Sequence, residues 1–480
     1  MIGRRSGICH AHAVAWLVVL SVAVPGLPRA AAQTATVAAD GAWLQYADAG
    51  ESGFSPERLE EAFRYADSVQ SGAVMAVHSG RAVVAWGDIA RPFESHSARK
   101  ALVSALYGVA VDRDLIDLDA TLADLGIDDV HLLTDAEKSA RVVDLISARS
   151  GVYHPAAYSP KDMERGLPPR GSHLPGSNWH YHNWDFNTAG AILEARAGLG
   201  VREAFDEWIA LPTGMEDFDP AAGYDAYEPG KSRYPAQTFR ISTRDLARFG
   251  QLYLQAGRWG ERQVIPADWV ERSTQPVTDL GDGEGYGYMW WTYAAGSVSP
   301  ERYPHVSRYD LYLARGTGGQ ALFVIPGADL VVVHRGDTDQ GREVDGAAVW
   351  TIVEKLLAAR VGEPGDAPRL VPMTTRPLPG ALPAPEPPAF VELERSDIEA
   401  LLGEYEFGPD MVGRVFLHAG RPYIYVPGEG EAELFALSDT HFIIRILAGV
   451  TIDFTKDAAG TVTGVVVRIG DDEMAATKVS

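Results

Sequence analysis

Cysteine is nearly absent from this 480-residue sequence, and the single one, Cys9, lies close to the amino terminus. Disulfide bonds and a cysteine nucleophile are therefore excluded from the rest of the chain. Basic residues are also scarce, because 42 Lys and Arg stand against 65 Asp and Glu, for a net charge of −23. This balance favours solubility and disfavours nucleic acid and anionic membranes as partners.

Long apolar segments are missing as well. The apolar run near the amino terminus, 13–24, spans about 12 residues, whereas a membrane-spanning helix needs about 20. Arg4 and Arg5 precede this run, and the small residues 30–32 follow it. This order is that of a secretory signal peptide cleaved near residue 32, with a retained anchor as the alternative. We therefore expect removal of residues 1–32 by general secretion, and a periplasmic or extracellular protein with no stable membrane insertion.

The composition, with 46% apolar and 22% charged residues, is that of a globular protein. The predicted elements of its first region are a helix at 56–68, strands at 73–77, 82–86, 287–291, 312–314 and 321–325, and a helix at 346–359. A helix ahead of an antiparallel hairpin, with strands returning late in the chain, predicts an α/β domain of the α+β type over 40–360. Its sheet is built from both ends of that region.

Residues 361–392 contain nine prolines and few apolar residues at helical or strand spacing. This is the composition of an interdomain linker. Beyond it, short apolar runs alternate with glycine and aspartate turns, at 414–417, 423–426, 441–444 and 465–467. Such a pattern predicts a small all-β barrel over 393–480.

Ser97 and Lys100 form a Ser-x-x-Lys element. On a helix, residues three apart lie on one face, so the lysine amine can reach the serine hydroxyl. The tetrapeptide is common by chance, but residues 101–111, which follow it, are apolar on nearly every side. That pattern predicts a helix buried all round, with the pair at its amino end.

This position bears on the protonation of the lysine. Burial and the positive end of the helix dipole both disfavour a charged amine, so Lys100 would be neutral and able to take the proton of Ser97. The serine would then be a nucleophile with its own base. The plain alternative is an ordinary helix start, with Ser97 as its cap and Lys100 on the surface.

A second polar stretch, 175–183, forms a loop ahead of a helix that Asp185 or Asn187 would cap. Tyr181 in this loop is a candidate general acid or base. Asn183 is a candidate for orienting the lysine or a substrate amide. The alternative is a packed aromatic loop without a catalytic role.

Three histidines in or near this loop, His173, His180 and His182, raise the question of a metal site. Metal sites usually show further carboxylate or histidine ligands at recognisable spacing, which this stretch lacks. We therefore predict no metal and no cofactor. The histidines are expected to line the pocket or to face solvent.

Residues 314–320, Ala-Arg-Gly-Thr-Gly-Gly-Gln, lie between two predicted strands and form a predicted hairpin turn at the sheet edge. Glycine allows the backbone to approach a ligand closely, so an N–H group here and that of Ser97 would form an oxyanion hole. Arg315, Gly316 and Thr317 are the candidate residues of this strand. A plain glycine-rich turn is the alternative.

These three elements, in this order, resemble the signatures of the serine β-lactamase and penicillin-binding-protein superfamily: Ser-x-x-Lys, Tyr-x-Asn and a Lys-Thr-Gly-like strand. The Tyr-x-Asn form, at 181–183, is similar to the class C-like branch, which includes esterases, D-aminopeptidases and 6-aminohexanoate-oligomer hydrolases. The stretches 144–151 and 240–254 also look like landmarks of this family. The resemblance covers residues 50–360 and implies a central antiparallel sheet with helices on both faces. The carboxy-terminal pattern resembles the lipocalin-like modules of some peptidase members.

By this resemblance, Ser97 attacks an acyl carbon and forms an acyl-enzyme. Lys100 and Tyr181 share the proton transfers as general base and acid, and Asn183 assists. The implied function is that of an exported serine hydrolase cleaving an ester or amide bond in a small molecule or short peptide. One alternative is a β-lactamase or D,D-carboxypeptidase. Another is a non-catalytic protein that keeps the penicillin-recognising fold to bind or sense a ligand.

The sequence departs from the family at the third signature. Aligning its final glycine on Gly316 puts Ala314 in the lysine position and Arg315 in the threonine position. The cation that meets the substrate carboxylate in β-lactam-acting members is thereby lost, unless Arg315 replaces it. This departure favours the esterase and amidase members over efficient β-lactam turnover.

Overall fold

The computed structural model describes residues 42–479. The predicted signal peptide, residues 1–32, lies outside this part of the chain. The helices are α1 (Pro56–Ser68), α2 (Arg99–Asp112), α3 (Asp135–Lys138), α4 (Val142–Ile146), α5 (Lys161–Arg165), α6 (Asn183–Ala197), α7 (Val201–Phe205), α8 (Leu211–Thr213), α9 (Thr243–Leu254), α10 (Ala267–Ser273), α11 (Gly346–Ala359) and α12 (Arg395–Leu401). None of the helices in the described residues is long and apolar enough to span a bilayer.

The strands form two large sheets and three short pairs within residues 42–479. They are β1 (Leu44–Tyr46), β2 (Ala73–His78), β3 (Arg81–Gly87), β4 (Pro92–Glu94), β5 (Asp225–Ala226), β6 (Ala236–Gln237), β7 (Arg240–Ser242), β8 (Arg258–Trp259), β9 (Arg262–Gln263), β10 (Thr278–Gly281), β11 (Glu284–Tyr286), β12 (Trp291–Tyr293), β13 (Leu311–Gly316), β14 (Gln320–Ile325), β15 (Leu330–Arg335), β16 (Leu370–Pro372), β17 (Gly403–Gly408), β18 (Met411–His418), β19 (Arg421–Val426), β20 (Gly430–Glu433), β21 (Phe435–Ala436), β22 (His441–Ile443), β23 (Val450–Lys456), β24 (Val462–Ile469) and β25 (Asp472–Lys478).

The larger sheet has ten strands in the order β10-β11-β12-β13-β14-β15-β2-β3-β1-β16. Neighbouring strands pair antiparallel, except that β1 pairs in parallel with β3. At the centre, Val77 of β2 pairs with Val331 of β15. Strands from early and late in the chain thus meet in the middle of the sheet. The predicted central antiparallel sheet is confirmed, with one parallel pairing near its edge.

Both faces of this sheet are buried, because successive side chains of a strand point to opposite sides. On β2, Val74 and Ala76 belong to a core shared with α1 and α11. Met75 and Val77 belong to a second core, shared with α2, α6 and α9. A sheet covered on both faces by helices gives three layers. This confirms the predicted mixed α/β class with helices on both faces.

The helices α1 and α11 have the bounds predicted for the first and last helix of this region. The strand predicted at 287–291 is wrong. Residues 287–290 form the turn between β11 and β12, in which Gly287 N–H donates to the Trp290 carbonyl at 2.8 Å. The run is apolar because Met289 and Trp290 are buried in the core from this turn.

The second large sheet has nine antiparallel strands, in the order β20-β19-β18-β17-β25-β24-β23-β22-β21, and forms a nearly closed barrel. Its core is separate from those of the larger sheet and contains Ile424, Phe442 and Phe454. The predicted small all-β barrel is therefore confirmed.

The proline-rich segment 361–392 runs along the edge of the larger sheet. Its strand β16 pairs antiparallel with β1, with Pro372 opposite Leu44. Further on, Arg376 forms an ion pair with Glu60 of α1 at 2.5 Å. The domain boundaries on either side of this segment stay a prediction, but the segment also completes the sheet edge.

Candidate active site

Ser97 lies in a short 3-10 turn, His96–Ala98, that leads directly into α2. As predicted, α2 is buried on nearly every side, over residues 99–110. Ser97 remains partly exposed, whereas Lys100 is only 3% exposed. The pair therefore lies at the accessible amino end of a buried helix.

The side chains of this pair are in contact. Lys100 Nζ lies 2.8 Å from Ser97 Oγ and donates to Asn183 Oδ1 at 3.1 Å. The cap position of α2 is occupied by Ala98, which makes no side-chain bond to the helix. The alternative of an ordinary helix start, with a capping serine and a surface lysine, is therefore wrong.

The environment of the lysine disfavours its charged form. Burial and the neighbouring Arg99 guanidinium lower the pKa of Lys100 well below its usual range. The amine also lies 4.8 Å from the ring centres of both Tyr181 and Phe186. Burial among these rings removes the amine from water, and this favours its neutral, proton-accepting form.

Tyr181 lies beside the serine and lysine, in the loop predicted to carry it. Burial raises the pKa of Tyr181, while a hydrogen bond with Ser97 acts in the opposite direction. The charges of Arg99 and Arg315 also act to lower it. The phenol is therefore protonated at neutral pH. A neutral phenol next to the serine is suited to giving a proton to a leaving group.

Asn183 is held at both ends of its side-chain amide. Its Oδ1 accepts the bond from Lys100, and its Nδ2 donates to the Tyr158 carbonyl at 2.6 Å. An amide fixed at both ends cannot rotate without breaking one of these bonds. It therefore fixes the direction of the lysine amine.

The start of α6 differs from the sequence prediction. The helix begins at Asn183, ahead of both predicted caps, Asp185 and Asn187, and His182 takes the cap position with extended backbone. Asp185 lies in the first turn, where its carboxylate accepts from Ser150 Oγ at 2.5 Å. The predicted cap is wrong because these polar side chains bind distant loops instead of their own helix.

The third predicted element forms as a hairpin: β13 ends at Gly316, a short turn spans Thr317–Gly319, and β14 begins at Gln320. Gly316 lies directly against the turn that carries the serine. A Cβ atom placed on Gly316 would lie 2.5 Å from the Ser95 oxygen and 3.0 Å from the Ser97 nitrogen. No side chain fits there, so the end of β13 and the serine backbone are in close contact.

Arg315 leaves β13 on the face opposite to its neighbours in the strand. Its guanidinium carbon lies 3.6 Å from the centre of the Trp291 ring, and Nη1 donates to the Tyr293 hydroxyl at 3.2 Å. The side chain is 43% exposed and lies 3.6 Å from Glu284. Ala314, in the position where the family has its lysine, is buried. The strand therefore presents a partly exposed cation against Trp291 and no cation at the position of the family's lysine.

Aromatic rings form a wall next to Tyr181. The ring centre of Trp291 lies 5.6 Å from that of Tyr181, 5.1 Å from that of Tyr286 and 5.9 Å from that of Trp179. This wall offers an apolar surface close to the serine.

Three residues around the serine were missed by the sequence analysis: His96, Arg99 and Tyr158. His96 Nδ1 lies 2.5 Å from the Tyr158 hydroxyl, and its Nε2 lies 2.9 Å from Thr338 Oγ1. Arg99 is buried and donates to Asn187 Oδ1 at 3.3 Å. His96 directly precedes the Ser-x-x-Lys stretch and Arg99 lies within it, so their positions in the sequence could have identified them as site residues. Tyr158 carries no signal of this kind, because only the fold brings it to the site.

The histidines of the second stretch pack around one tyrosine. The ring centres of His173, His180 and His182 lie 5.9, 5.6 and 6.0 Å from that of Tyr153. Within residues 42–479 there is no group of three His, Cys, Asp or Glu side chains arranged to hold a metal ion. This cluster supports the loop that carries Tyr181.

Comparison with known proteins matches residues 57–349 to the family model described as Beta-lactamase. No curated protein sequence matches the chain. Similar solved structures include SurE, which is 18% identical over 88% of this chain and 99% of its own, with a TM-score of 0.46. An octameric penicillin-binding protein homologue from Pyrococcus abyssi is 14% identical over 88% of this chain and 99% of its own, with a TM-score of 0.44. A class C beta lactamase from Rhodobacter sphaeroides is 18% identical over 63% of this chain and 99% of its own, with a TM-score of 0.45.

Proposed function

Because the chain belongs to the beta-lactamase family of serine hydrolases, we propose that it cleaves an ester or amide bond through an acyl-enzyme formed on Ser97. The observation that carries this proposal is the 2.8 Å contact between Lys100 Nζ and Ser97 Oγ at the end of a buried helix. A nucleophile and a base within hydrogen-bond reach, with the base oriented by a third group, make an activated serine. Asn183 is that third group.

In the proposed reaction, Lys100 takes the proton of Ser97 as Oγ attacks the acyl carbon. The N–H groups of Ser97 and Thr317 stabilise the negatively charged oxygen of the tetrahedral intermediate. The proton then passes through Tyr181 to the departing alcohol or amine. Water then gives a proton to Lys100 or Tyr181 as its oxygen attacks the acyl carbon. The bond from that carbon to Ser97 Oγ breaks, the proton returns to Oγ, and the acid leaves. The close contact of Gly316 with the serine backbone supports the placement of the oxyanion hole.

Gly316→Ala is expected to lower kcat/KM by about 10²-fold, because the added methyl group forces the serine turn away from β13. Steady-state kinetics with a nitrophenyl ester measure this effect. Gly346→Ala, at a glycine with open space around its Cβ position, is the matched control and is expected to keep the wild-type rate. Wild-type kcat/KM in Gly316→Ala would contradict an oxyanion hole at this strand.

The proposed substrate is an ester or amide of a small molecule or short peptide, in preference to a β-lactam. Ala314 offers no cation beside the serine for a substrate carboxylate. Arg315 stacks on Trp291 and lies 3.6 Å from Glu284, so it does not take the position of the missing lysine. The aromatic wall next to Tyr181 favours an apolar group near the scissile bond.

The proposed place of action is the periplasm or the extracellular space. This part of the proposal rests on the signal-peptide pattern of residues 1–32 in the sequence. Amino-terminal sequencing of the protein recovered from the producing cells tests it. We expect a mature protein that begins near residue 33 in the exported fraction, and an uncleaved protein retained in the cytoplasm would contradict export.

Intact mass spectrometry after exposure to a serine-reactive phosphonate and to a penicillin tests the proposed chemistry. We expect a phosphonate adduct that peptide mapping places on Ser97, and no stable penicillin adduct. Equally rapid labelling and turnover of penicillin would support the β-lactamase or D,D-carboxypeptidase alternative. Absence of any adduct would overturn the mechanism and support the non-catalytic alternative. A panel of nitrophenyl esters and D-amino-acid amides then separates esterase from amidase activity.

A further inference from the structure

The carboxy-terminal barrel docks on residues 222–231, which we call the docking segment. Arg445 of the barrel donates through Nη2 to the Ala222 carbonyl at 3.0 Å. Its guanidinium carbon lies 4.1 Å from the centre of the Tyr224 ring, which also meets Phe435 edge to face at 5.6 Å. These contacts hold the first part of the docking segment against the barrel.

The last part of the docking segment is held by another barrel residue. The carboxylate of Glu431 accepts from Gly230 N–H at 2.7 Å. A Cβ atom on Gly230 would lie 3.1 Å from that carboxylate, so the backbone approaches it closely. Nearby, Lys161 of α5 forms an exposed ion pair with Glu429 at 2.9 Å. The barrel therefore holds the docking segment at both ends.

Between these two contacts the docking segment carries Glu228, which is 6% exposed. Its Oε1 accepts from Tyr158 N–H at 2.7 Å, and its Oε2 pairs with Lys231 at 2.5 Å. A buried carboxylate with both oxygens engaged in charge-assisted or backbone bonds is fixed in place. The backbone at Tyr158 is thereby tied to the docking segment.

Tyr158 has a left-handed backbone, with φ of 62°. A non-glycine residue keeps such a conformation only where its surroundings impose it. Its carbonyl accepts from Asn183 Nδ2 at 2.6 Å, and its hydroxyl lies 2.5 Å from His96 Nδ1. Asn183 orients Lys100, and His96 directly precedes Ser97. Tyr158 therefore supports both the lysine and the turn that carries the serine.

We propose that Glu228 and Tyr158 are positioning residues through which the docked barrel holds Asn183 in place for Lys100. The inference rests on the proposed function, because it concerns the geometry of the same acylation site. When the docking segment is released, the Tyr158 backbone relaxes, the Asn183 amide turns, and its contact with the lysine lengthens. A misplacement of about 1 Å at reacting groups costs up to about 10²-fold in rate, and a partial release costs less.

Glu228→Ala removes the acceptor of Tyr158 N–H and tests the first step of this link. We expect kcat and the rate of phosphonate labelling to fall about tenfold, with KM changed by less than about twofold. Glu228→Gln keeps an acceptor oxygen but loses the charge that pairs with Lys231. It is expected to retain at least about a third of the wild-type kcat, which a purely electrostatic role of the carboxylate would not allow.

Arg445→Ala tests the barrel end of the link and is expected to lower kcat about three- to tenfold. The double variant Arg445→Ala/Glu228→Ala is expected to be no slower than Glu228→Ala alone, because both changes break one path. Arg468→Ala is the matched control: it removes ion pairs with Glu473, at 3.0 Å, and with Asp453, both within the barrel, and is expected to keep the wild-type kcat.

Hydrogen exchange measured by mass spectrometry gives a readout independent of turnover. In Arg445→Ala, well below its melting temperature, peptides containing Tyr158 and Asn183 are expected to exchange faster, while peptides of α1 stay unchanged. If Arg445→Ala does not fold, Glu431→Ala, which leaves Gly230 N–H without its acceptor, is measured in the same way.

Multiplicative effects of Arg445→Ala and Glu228→Ala on kcat would overturn the link, as would wild-type kcat and wild-type exchange in both variants. A failure of the proposed function has a different signature, because the wild-type protein then takes up no phosphonate. The exchange experiment still decides in that case whether the barrel holds the Tyr158 and Asn183 backbone.

Discussion

Ser97→Ala is expected to abolish the phosphonate adduct and to lower kcat/KM by on the order of 10⁴-fold or more. The variant loses the only atom that forms the ester with the acyl group in the proposed mechanism, while Lys100 and Asn183 stay in place. Intact mass spectrometry and hydrolysis of the best nitrophenyl ester measure the two effects. A thermal melt is expected to be nearly unchanged, because Ser97 is partly exposed and does not cap α2.

The matched control for this variant is Ser139→Ala. Ser139 is an exposed serine whose hydroxyl donates to the Ala136 carbonyl at 2.7 Å. It is expected to label and turn over at the wild-type rate. If the phosphonate adduct persists in Ser97→Ala, the nucleophile is another residue and the mechanism is wrong.

Lys100→Met is expected to lower kcat/KM by about 10²–10⁴-fold, which is the usual contribution of a general base. Methionine fills a similar volume between the Tyr181 and Phe186 rings and buries no amine. The melting temperature is therefore expected to stay the same or to rise while activity is lost. Steady-state kinetics and calorimetry on the same preparation measure both quantities.

Lys138→Met is the control for loss of a lysine as such, because Lys138 is a partly exposed residue that pairs with Asp128 at 2.7 Å. It is expected to change kcat/KM little. A Lys100→Met enzyme within about tenfold of the wild-type rate would remove this lysine from the mechanism.

The pH dependence follows from the same environment. Lys100 accepts a proton only when neutral, so kcat/KM is expected to rise with pH as the lysine loses its proton and then to level off. Burial and Arg99 lower the pKa of Lys100. The midpoint of the rise is therefore expected at a pH well below 10.5, the ordinary lysine pKa. Initial rates between about pH 5 and 10 measure the profile. A rate that is still rising steeply at about pH 10, or a rise that survives in Lys100→Met, would contradict a neutral lysine base.

Local sequence pattern was sufficient to predict the helix that carries Ser97 and Lys100. Residues 101–111 are apolar on nearly every side, and this pattern predicts a buried helix. The Ser-x-x-Lys spacing then puts the two side chains on one face at its end, and both expectations agree with the contacts of Ser97 and Lys100. The glycine at 316 was singled out for close backbone approach, and the space around it is indeed too small for a side chain.

Local sequence pattern gave wrong predictions where a buried residue does not belong to the helix or strand that its residue type suggests. The apolar run 287–291 was predicted as a strand, but a turn also buries Met289 and Trp290 when the core lies beneath it. Asp185 and Asn187 have the residue types of helix caps, yet in the structure they bind other loops from within α6. The spacing of apolar and polar residues shows which side chains are suited to burial. It does not show which distant segments of the chain contact them.

The sequence by itself determined that Ser97 and Lys100 meet at the end of a buried helix, because their spacing and the helix behind them are local properties of the chain. Only the tertiary structure decided that Asn183, Tyr158 and Gly316 converge on that pair. Their contacts depend on how α6 and β13 pack against α2, and such packing is set by the cores of the whole molecule.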